Sequence, residues 1–503
     1  MKLKFLLILQ FCFHFCFCQY DINFETPINL FPKENISKEI KDGISLSAIG
    51  LVKKDVFGTQ VINVVTKDKE GKIYEFDAKK ISSFIFIDNT KREQIWEKYL
   101  LKNGGYVNLL TNGLQYDIRE DLNTDAIEYI SLLEKNNLLF EDQFFEDYLY
   151  TVLNKVHVGT LKDKRPGNIY IKILKNVEPQ AFCLSNGCIV ISTGLLSTIQ
   201  SEDELIGVLS HEVAHFILDH QLLNYNKEIE RSKRAAFWST LATVVAAGVD
   251  VALAASNEYH VFGAITGTVA LASKILSDDI VKRLGVKFNQ SQELEADALS
   301  QEICEILKYD KLGLSAALMR IKEHCVKTGN YLSLFGSETH PSLDKRISIL
   351  GNNVNFKDFV QSNYLKKASF INSYNSLNKL YNYSNHNEAS ELATRNIENG
   401  VGTETDYLVK SIVISRTNNS NESNEQALKL IQKAKSLKIT PVIYLDKQEG
   451  LIFLRLNRKQ EAKISFQNYL SAIQGIKNLE NKNYQLVDEI EWTKKMLFKI
   501  DVL

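Results

Sequence analysis

One stretch, SEDELIGVLSHEVAHFILDH at 201–220, constrains the fold more than any other part of the chain. Ser201 followed three residues later by Glu204 is typical of a capped helix start, and apolar residues recur behind it at helical spacing. His211 and His215 are four residues apart, so a helix places both imidazoles on one face, one turn apart. Two such imidazoles can bind one metal ion, and zinc favours nitrogen ligands. The stretch predicts a metal-binding helix; two ordinary surface histidines are the alternative.

Glu212 directly follows the first histidine and gives the candidate site a base. In catalytic zinc sites three protein ligands leave the fourth position to water, and a carboxylate beside that water can take its proton. The H-E-x-x-H spacing is the arrangement of metallopeptidases. Glu212 is therefore the candidate catalytic residue.

A second helical pattern, NQSQELEADALSQEICEIL at 289–307, supplies a candidate third ligand. Glu293 and Asp297 are four residues apart and again share one helix face. Glu293 would complete a site of two histidines and one carboxylate, and Asp297 would accept the free N–H of a ligand histidine and fix its tautomer. The alternative is a charged, solvated helix face. Together with H-E-x-x-H, the pattern favours zinc as the cofactor.

These motifs resemble the gluzincin zinc metallopeptidase family that contains HtpX, the CaaX prenyl protease and periplasmic chaperone-proteases with tetratricopeptide repeats. The resemblance covers about 120–350. Besides H-E-x-x-H, it rests on E-x-x-A-D at 293–297, QAFCLSNGCIVISTGLL at 180–196 and THPSLDKRI at 339–347. It implies a zincin-like domain whose substrates are peptides or misfolded envelope proteins.

The first residues, MKLKFLLILQFCFHFCFC, predict an exported protein. Lys2 and Lys4 precede a short apolar core, which makes 1–18 a secretory signal peptide. Acylation of Cys18 is the alternative, although Phe17 is bulky where such sites have a small residue. Together with the resemblance to periplasmic proteases, export implies a periplasmic or outer-membrane-associated protein of a Gram-negative bacterium, with secretion or membrane anchoring as alternatives. The formal charge of −1 gives no electrostatic basis for binding nucleic acid.

Two of the remaining cysteines flank a turn-like LSNG sequence. One interpretation is a disulfide between Cys183 and Cys188 across a hairpin; the other is reduced, half-buried thiols. CIVIS at 188–192 is a predicted strand. At the edge of its sheet, this strand would hold an extended substrate by strand addition.

The 503 residues are too many for one core, so several domains are expected. After the signal peptide, residues 19–118 alternate in β fashion and predict a small accessory module. Residues 119–353 carry the motifs and predict an α+β zincin-like metallopeptidase domain. Residues 354–503 are polar and helical. The predicted fold class is multidomain and mainly α.

The C-terminal region contains spacings typical of tetratricopeptide repeats. Phe453, Ala462 and Phe466 lie at offsets of three, twelve and sixteen from Gly450, and an earlier copy surrounds Ala427. The pattern predicts three helix pairs that bind a protein partner. An unrelated helical tail is the alternative.

Residues 235–276 contain two long apolar runs that are rich in Ala and Gly. Asp250 lies inside the first run and Lys274 inside the second, which disfavours two membrane spans. The pattern favours a helical hairpin that lies over the active site or contacts a membrane surface. A membrane-embedded protease is the alternative.

His340 precedes Pro341, which restricts it to an extended conformation and predicts a loop. A loop histidine brought to the cleft would either donate to the oxyanion of the intermediate or act as a gate by filling the open position of the zinc. A structural role, with Arg346 pairing to a nearby carboxylate, is the third interpretation.

The leading hypothesis is an exported zinc-dependent metalloendopeptidase in envelope protein quality control, whose repeats recruit a partner or substrate. The alternative is a chaperone or assembly factor of the envelope with low or gated protease activity. The intact set of His211, Glu212, His215 and Glu293 favours the enzyme, because a scaffold has no need for all four.

Overall fold

The structure, a computed structural model, describes residues 22–56, 59–86, 114–156, 169–223, 237–238, 280, 284–328, 343–381, 384–437, 442–475 and 484–502. The predicted signal peptide, 1–18, lies outside these ranges. The chain forms two compact units. The described parts of Met1–Glu120, Val158–Gly167 and Ile217–Asp219 belong to the first, and those of Asp121–His157, Asn168–Phe216 and His220–Leu503 to the second. No helix in the described ranges is long and apolar enough to cross a membrane.

The first unit contains an antiparallel sheet, which confirms the β-rich prediction for the N-terminal region. Its strands are β1 Ile22–Pro32, β2 Leu46–Val56, β3 Thr59–Lys67, β4 Ile73–Asp77 and β5 Phe84–Phe86. They pair in the order β4-β3-β2-β1-β5. Val64 lies opposite Phe76 in the β3–β4 pair, and the ring of Phe76 stacks on Phe84 at 4.4 Å. Aromatic side chains of the two outermost strands, β4 and β5, are thus in contact.

The peptidase region begins with two helices and a small sheet. Its first elements are α1 Leu114–Lys135, α2 Gln143–Val156, β6 Tyr170–Leu174, β7 Ala181–Cys183 and β8 Cys188–Ser192. The strand order is β6-β8-β7, with β6 parallel and β7 antiparallel to β8. The prediction that β8 is the edge strand is wrong, because the short β7 pairs along its other side. The edge beside the motif helix is β7.

Cys183 and Cys188 are both reduced and buried. Cys183 lies opposite Ile189 in the β7–β8 pair. Because successive side chains of a strand alternate between faces, Cys188 points to the other face of the sheet. The disulfide interpretation is therefore corrected: the two thiols lie on opposite faces and cannot meet.

The motif helix follows β8 through a tight connection. The elements are α3 Thr193–Thr198, α4 Glu202–Ile217 and α5 His220–Leu223. Gly194 is required at the start of α3, because a Cβ there would lie 2.3 Å from the Val177 carbonyl oxygen. The Ser201 hydroxyl accepts a hydrogen bond from the Glu204 N–H at 3.2 Å, which confirms the predicted cap. The buried Glu204 carboxylate also pairs with Arg320.

Three further helices of the peptidase region lie in the described ranges: α6 Gln290–Ile306, α7 Gly313–Thr328 and α8 Leu343–Leu350. Close packing on α4 positions α6 and α7. Gly207 of α4 has no room for a side chain, since a Cβ would lie 2.5 Å from the Leu314 nitrogen in α7. The Ser300 hydroxyl of α6 donates to the Gly207 carbonyl at 2.7 Å. Both α6 and α7 therefore pack against α4 at Gly207.

The C-terminal region is helical, as predicted. Its helices are α9 Ser362–Lys367, α10 Ser369–Tyr381, α11 His386–Glu398, α12 Glu404–Thr417, α13 Asn421–Leu437, α14 Tyr444–Arg455, α15 Lys459–Gln474 and α16 Tyr484–Val502. The helices from α10 to α15 form three successive pairs joined by short turns. A Cβ on Gly450 in α14 would lie 2.9 Å from the Phe466 ring in α15. The glycine of the repeat spacing thus lies where the two helices of its pair cross.

The first helices of this region are hydrogen-bonded to the motif helix and its neighbour α3. The Gln361 side chain accepts from the Glu202 N–H at 2.9 Å and donates to the Asp203 carboxylate at 2.6 Å. Three more donors reach carbonyl groups of α3: Tyr364 to Leu196, Asn375 to Thr193 and Arg395 to Ser197, at 2.6–2.7 Å. These bonds cross the predicted boundary between 353 and 354.

The predicted apolar hairpin, 235–276, lies outside the described residues except for Phe237 and Trp238. Trp238 is buried, and its indole N–H donates to Asp125 at 2.8 Å.

Candidate metal centre

The structure brings the three predicted ligands together. His211 and His215 project from α4, and their Nε2 atoms are 3.1 Å apart. Oε2 of Glu293, on α6, lies 3.5 Å from Nε2 of His211. One ligand atom from each residue lies within 4.8 Å of the others, and all three residues are buried. The sequence spacing alone did not fix the approach of the two helices.

The three donors fit a zinc ion. Ligand atoms about 2.05 Å from a tetrahedral zinc lie about 3.3 Å from one another. The two short separations, 3.1 and 3.5 Å, lie on either side of that value. Two imidazoles and one carboxylate also form the donor set of catalytic zinc sites that keep an open position. His211, His215 and Glu293 are thus suited to hold the ion.

Glu212 lies buried beside this cluster. Burial raises the pKa of its carboxyl to about 7; the nearby Glu293 also raises it, while His211 and a hydrogen bond from the Cys183 N–H lower it. The hydrogen bond to Cys183 attaches the candidate base to strand β7. Glu212 is therefore close both to the candidate ligands and to the sheet edge.

Asp297 and Arg346 form a charged group behind the ligands. Oδ1 of Asp297 lies 3.0 Å from Nδ1 of His211, so it can accept the proton on the nitrogen that faces away from His215. Arg346, on α8, donates twice to Asp297, at 2.6 and 2.8 Å, and its third nitrogen lies 2.8 Å from Glu293. Burial would raise the pKa of Asp297, but Arg346 and His211 lower it.

The histidines differ in their surroundings. Burial lowers the pKa of His211, but hydrogen bonds to Asp297 and Glu293 raise it to about 9. For His215, burial and the neighbouring His211 lower the pKa well below its usual value. The His215 ring stacks on Phe288 at 3.7 Å, and its Nδ1 lies 2.8 Å from Nδ1 of His220. Each imidazole is thus held in place by neighbours on the side of its ring that faces away from the other imidazole.

Sequence reasoning missed part of this arrangement. Arg346 was expected only to pair with a nearby carboxylate, and its bridge between Glu293 and Asp297 was not anticipated. Phe288 carried no signal, since a single aromatic residue before a helix is ordinary. His220 ends the HEVAHFILDH stretch at 211–220, whose trailing histidine also resembles the family, but its contact with His215 was not anticipated. His340 lies outside the described residues.

The outer edge of β7, which pairs with no strand in the described ranges, faces the centre. Gln180 and Leu184 exchange backbone hydrogen bonds with β8, so the peptide groups of Ala181 and Cys183 point away from β8. The Cys183 carbonyl accepts from the Gln221 side chain at 2.8 Å. An extended chain placed beside Ala181 would therefore pass next to Glu212.

Comparison with known proteins gives a family match over the same region. Residues 151–354 match the family described as Peptidase family M48. This segment contains all three candidate ligands, Glu212, Asp297 and Arg346. It ends where the C-terminal helices begin.

The similar curated proteins are also named as peptidases. A "Beta-barrel assembly-enhancing protease" of Yersinia pestis is 24% identical over 229 residues, which cover 45% of this chain and 42% of the relative. The protein of the same name from Escherichia coli (strain K12) is 23% identical over 253 residues, or 49% and 48% of the two chains. "Metalloendopeptidase OMA1, mitochondrial" of Bos taurus is 31% identical over 102 residues, 19% of each chain. The aligned region spans less than half of each of these relatives.

Proposed function

The chain belongs to peptidase family M48 through its residues 151–354, and from this premise we propose that it is a zinc-dependent metalloendopeptidase with Glu212 as general base. The observation that carries the proposal is the convergence of His211, His215 and Glu293, with Glu212 buried beside them. In this proposal the three ligands hold the ion. Zinc, when bound, supplies Lewis-acid chemistry towards a water molecule and the scissile carbonyl.

The protein's own residues perform the proton transfers. Glu212 accepts a proton from the attacking water and later delivers it to the leaving amine. Asp297 holds Nδ1 of His211, so that Nε2 faces the site. Arg346 balances the charge of Glu293 and Asp297 and keeps both carboxylates in place.

The substrate is proposed to bind as an added strand on β7. The outward peptide groups of Ala181 offer one donor and one acceptor to an extended chain. The hydrogen bond between Glu212 and the Cys183 N–H supports this arrangement, because it keeps the base next to the bound strand. Backbone pairing makes few demands on substrate side chains, which suits cleavage of unfolded polypeptides.

The proposed biological role is protein quality control in the envelope of a Gram-negative bacterium, in the periplasm or at the outer membrane. Two lines support it: the signal-like start of the sequence and similarity to proteins named beta-barrel assembly-enhancing proteases. The three helix pairs after residue 368 are proposed to act as tetratricopeptide-like repeats that bind a protein partner.

The direct test combines metal analysis with casein cleavage by the full chain. We expect about one zinc per chain in the wild type and in Glu212→Gln, because glutamine removes the base and no ligand. Casein cleavage should fall at least a hundredfold in Glu212→Gln, while Glu293→Ala should lose both metal and cleavage.

Glu305→Gln is the matched control, since Glu305 is exposed on the same helix as Glu293. It should keep both zinc and activity. Casein cleavage by Glu212→Gln at the wild-type rate would exclude the proposed mechanism. A zinc-loaded wild type that never cleaves casein, but prevents its aggregation, would favour the chaperone or assembly factor.

A further inference from the structure

A cavity of about 700 Å³ lies where the peptidase region meets the first helix pair. One wall is the loop before β7, with Val177 and Glu178, and a second is the end of α7, at Thr328. The third wall is the start of α11, with His386 and Asn387. The volume is within the range of about 300–1,000 Å³ that is usual for ligand pockets.

The charged residues at this cavity are already paired. The His324 ring lies between two carboxylates, 3.3 Å from Glu178 and 3.4 Å from Glu388. Lys379 pairs with Glu388 at 2.5 Å, and Lys327 lies 3.5 Å from Glu391. Because each of these charges has an opposite partner, the cavity favours a neutral, polar occupant over a small ion.

The rest of the lining is suited to hydrogen bonding. It contains hydroxyl, amide and imidazole groups, from Thr328, Ser384, Asn385, His386, Asn387 and Thr417. Nε2 of His386 is buried and has no hydrogen-bond partner in the described structure. A buried polar group without a partner is destabilising, so a ligand that reaches this nitrogen and hydrogen-bonds to it would be favoured. Peptide groups supply both donors and acceptors.

Glu178, which lines the cavity, lies in the loop that leads into the edge strand β7. Glu178 precedes Ala181 by three residues, which is about 10 Å of extended chain. The loop between them is fixed: the Ser192 hydroxyl donates to the Glu178 carbonyl at 2.7 Å and accepts from the Gln180 N–H at 2.9 Å. One end of an extended chain added to β7 would therefore point towards Glu178 and the cavity that it lines.

We propose that this cavity is a second binding site for the substrate polypeptide and holds a neutral, polar segment several residues away from the scissile bond. The inference rests on the proposed peptidase function and extends it. Substrate selection then depends on the first helix pair as well as on the sheet edge. Long, unfolded chains gain binding energy that short peptides lack.

The test uses the zinc-loaded full chain and peptides of two lengths. A casein cleavage site is mapped by mass spectrometry. A peptide of about eight residues around that site is compared with two peptides of about twenty residues, one extended on the N-terminal side and one on the C-terminal side. Asn387→Trp fills the cavity from its exposed rim, in the first turn of α11. The matched control is Asn421→Trp, an exposed position that begins α13 and lies outside the cavity lining.

We expect Asn387→Trp to lower kcat/KM about tenfold for one of the long peptides, through KM, and to leave the short peptide unchanged. Asn421→Trp should match the wild type on all peptides. His386→Phe, which keeps an aromatic ring and removes the nitrogens, should weaken binding of the same long peptide about threefold or more. Thermal unfolding checks that each variant is folded.

Two results would overturn the inference and are distinguishable. If the wild type cleaves all peptides and both cavity variants retain its preference between long and short, the second site does not exist. If the wild type cleaves none of them, the proposed peptidase function itself fails, and the second site fails with it.

Discussion

At the scale of single residues, Arg346 determines how much negative charge the centre can hold. Glu293 and Asp297 are both buried, and the guanidinium of Arg346 contacts both. Removing one partner from a buried charged group commonly costs about 3–5 kcal/mol, because the remaining charges lose their compensation. Arg346→Met should therefore lower the free energy of unfolding of the metal-free protein by about that amount.

Urea unfolding of the metal-free protein measures this effect, and zinc titration measures its consequence for the ligands. Lys345→Met is the control, since Lys345 is the exposed neighbour on α8. It should change stability by less than about 0.5 kcal/mol. Equal stability of Arg346→Met and Lys345→Met would mean that Arg346 does not balance the two carboxylates.

At the scale of elements, the crossing of α14 and α15 tests the packing of the repeat region. Gly450 faces the fully buried Phe466 ring across this crossing. Gly450→Val forces extra atoms against that ring and should destabilise the protein by about 1–3 kcal/mol. In a Phe466→Leu background the smaller side chain leaves space, so the same substitution should cost at least about 1 kcal/mol less. A double-mutant cycle by urea unfolding measures the coupling, and additive effects would show that the two residues do not interact.

The elements also show what a single sequence can predict. Several segments were assigned correctly: the motif helix with its Ser201 cap, the strand β8, and the paired helices around Gly450. Strand β7 was missed because three residues are too few to show alternating polar and apolar side chains. Without β7, the wrong strand was predicted to form the edge of the sheet. Arg346 contacts Glu293 and Asp297, which are far from it in sequence. Local periodicity gives no information on such contacts.

At the scale of the whole molecule, the His324 cluster joins the peptidase region to the first helix pair and makes the junction sensitive to pH. Burial raises the pKa of Glu388, but hydrogen bonding to His324 and the charge of Lys379 lower it to about 2, against its usual value of 4.5. A carboxyl whose pKa is lower in the folded state stabilises the protein above the unfolded pKa. This contribution is lost as the pH falls from about 4.5 to about 2.

Burial lowers the pKa of His324, but Glu178 and Glu388 raise it above its usual value of 6.5. Its contribution is present below pH 6.5 and is lost as the pH rises through the raised pKa. The junction should therefore be most stable between about pH 4.5 and 6.5.

Glu388→Gln tests this dependence. The wild type should be more stable than the variant at pH 5, and the difference should shrink steadily towards pH 2, as measured by urea unfolding. Glu391→Gln, on the same helix and more exposed, serves as the control. A difference between wild type and Glu388→Gln that does not change over this range would exclude the role assigned to Glu388.

The edge strand β7 has a further consequence, which concerns self-association. A sheet edge that accepts extended chains can also pair with the same edge of another copy, the usual route to aggregation. Here the edge is three residues long, and the Cys183 carbonyl is already occupied by Gln221. Two copies that meet edge to edge could form few backbone bonds, and those bonds would have to displace the Gln221 amide. The short length of β7 and the contact with Gln221 therefore disfavour edge-to-edge pairing between two copies. A single flexible chain can still align beside Ala181.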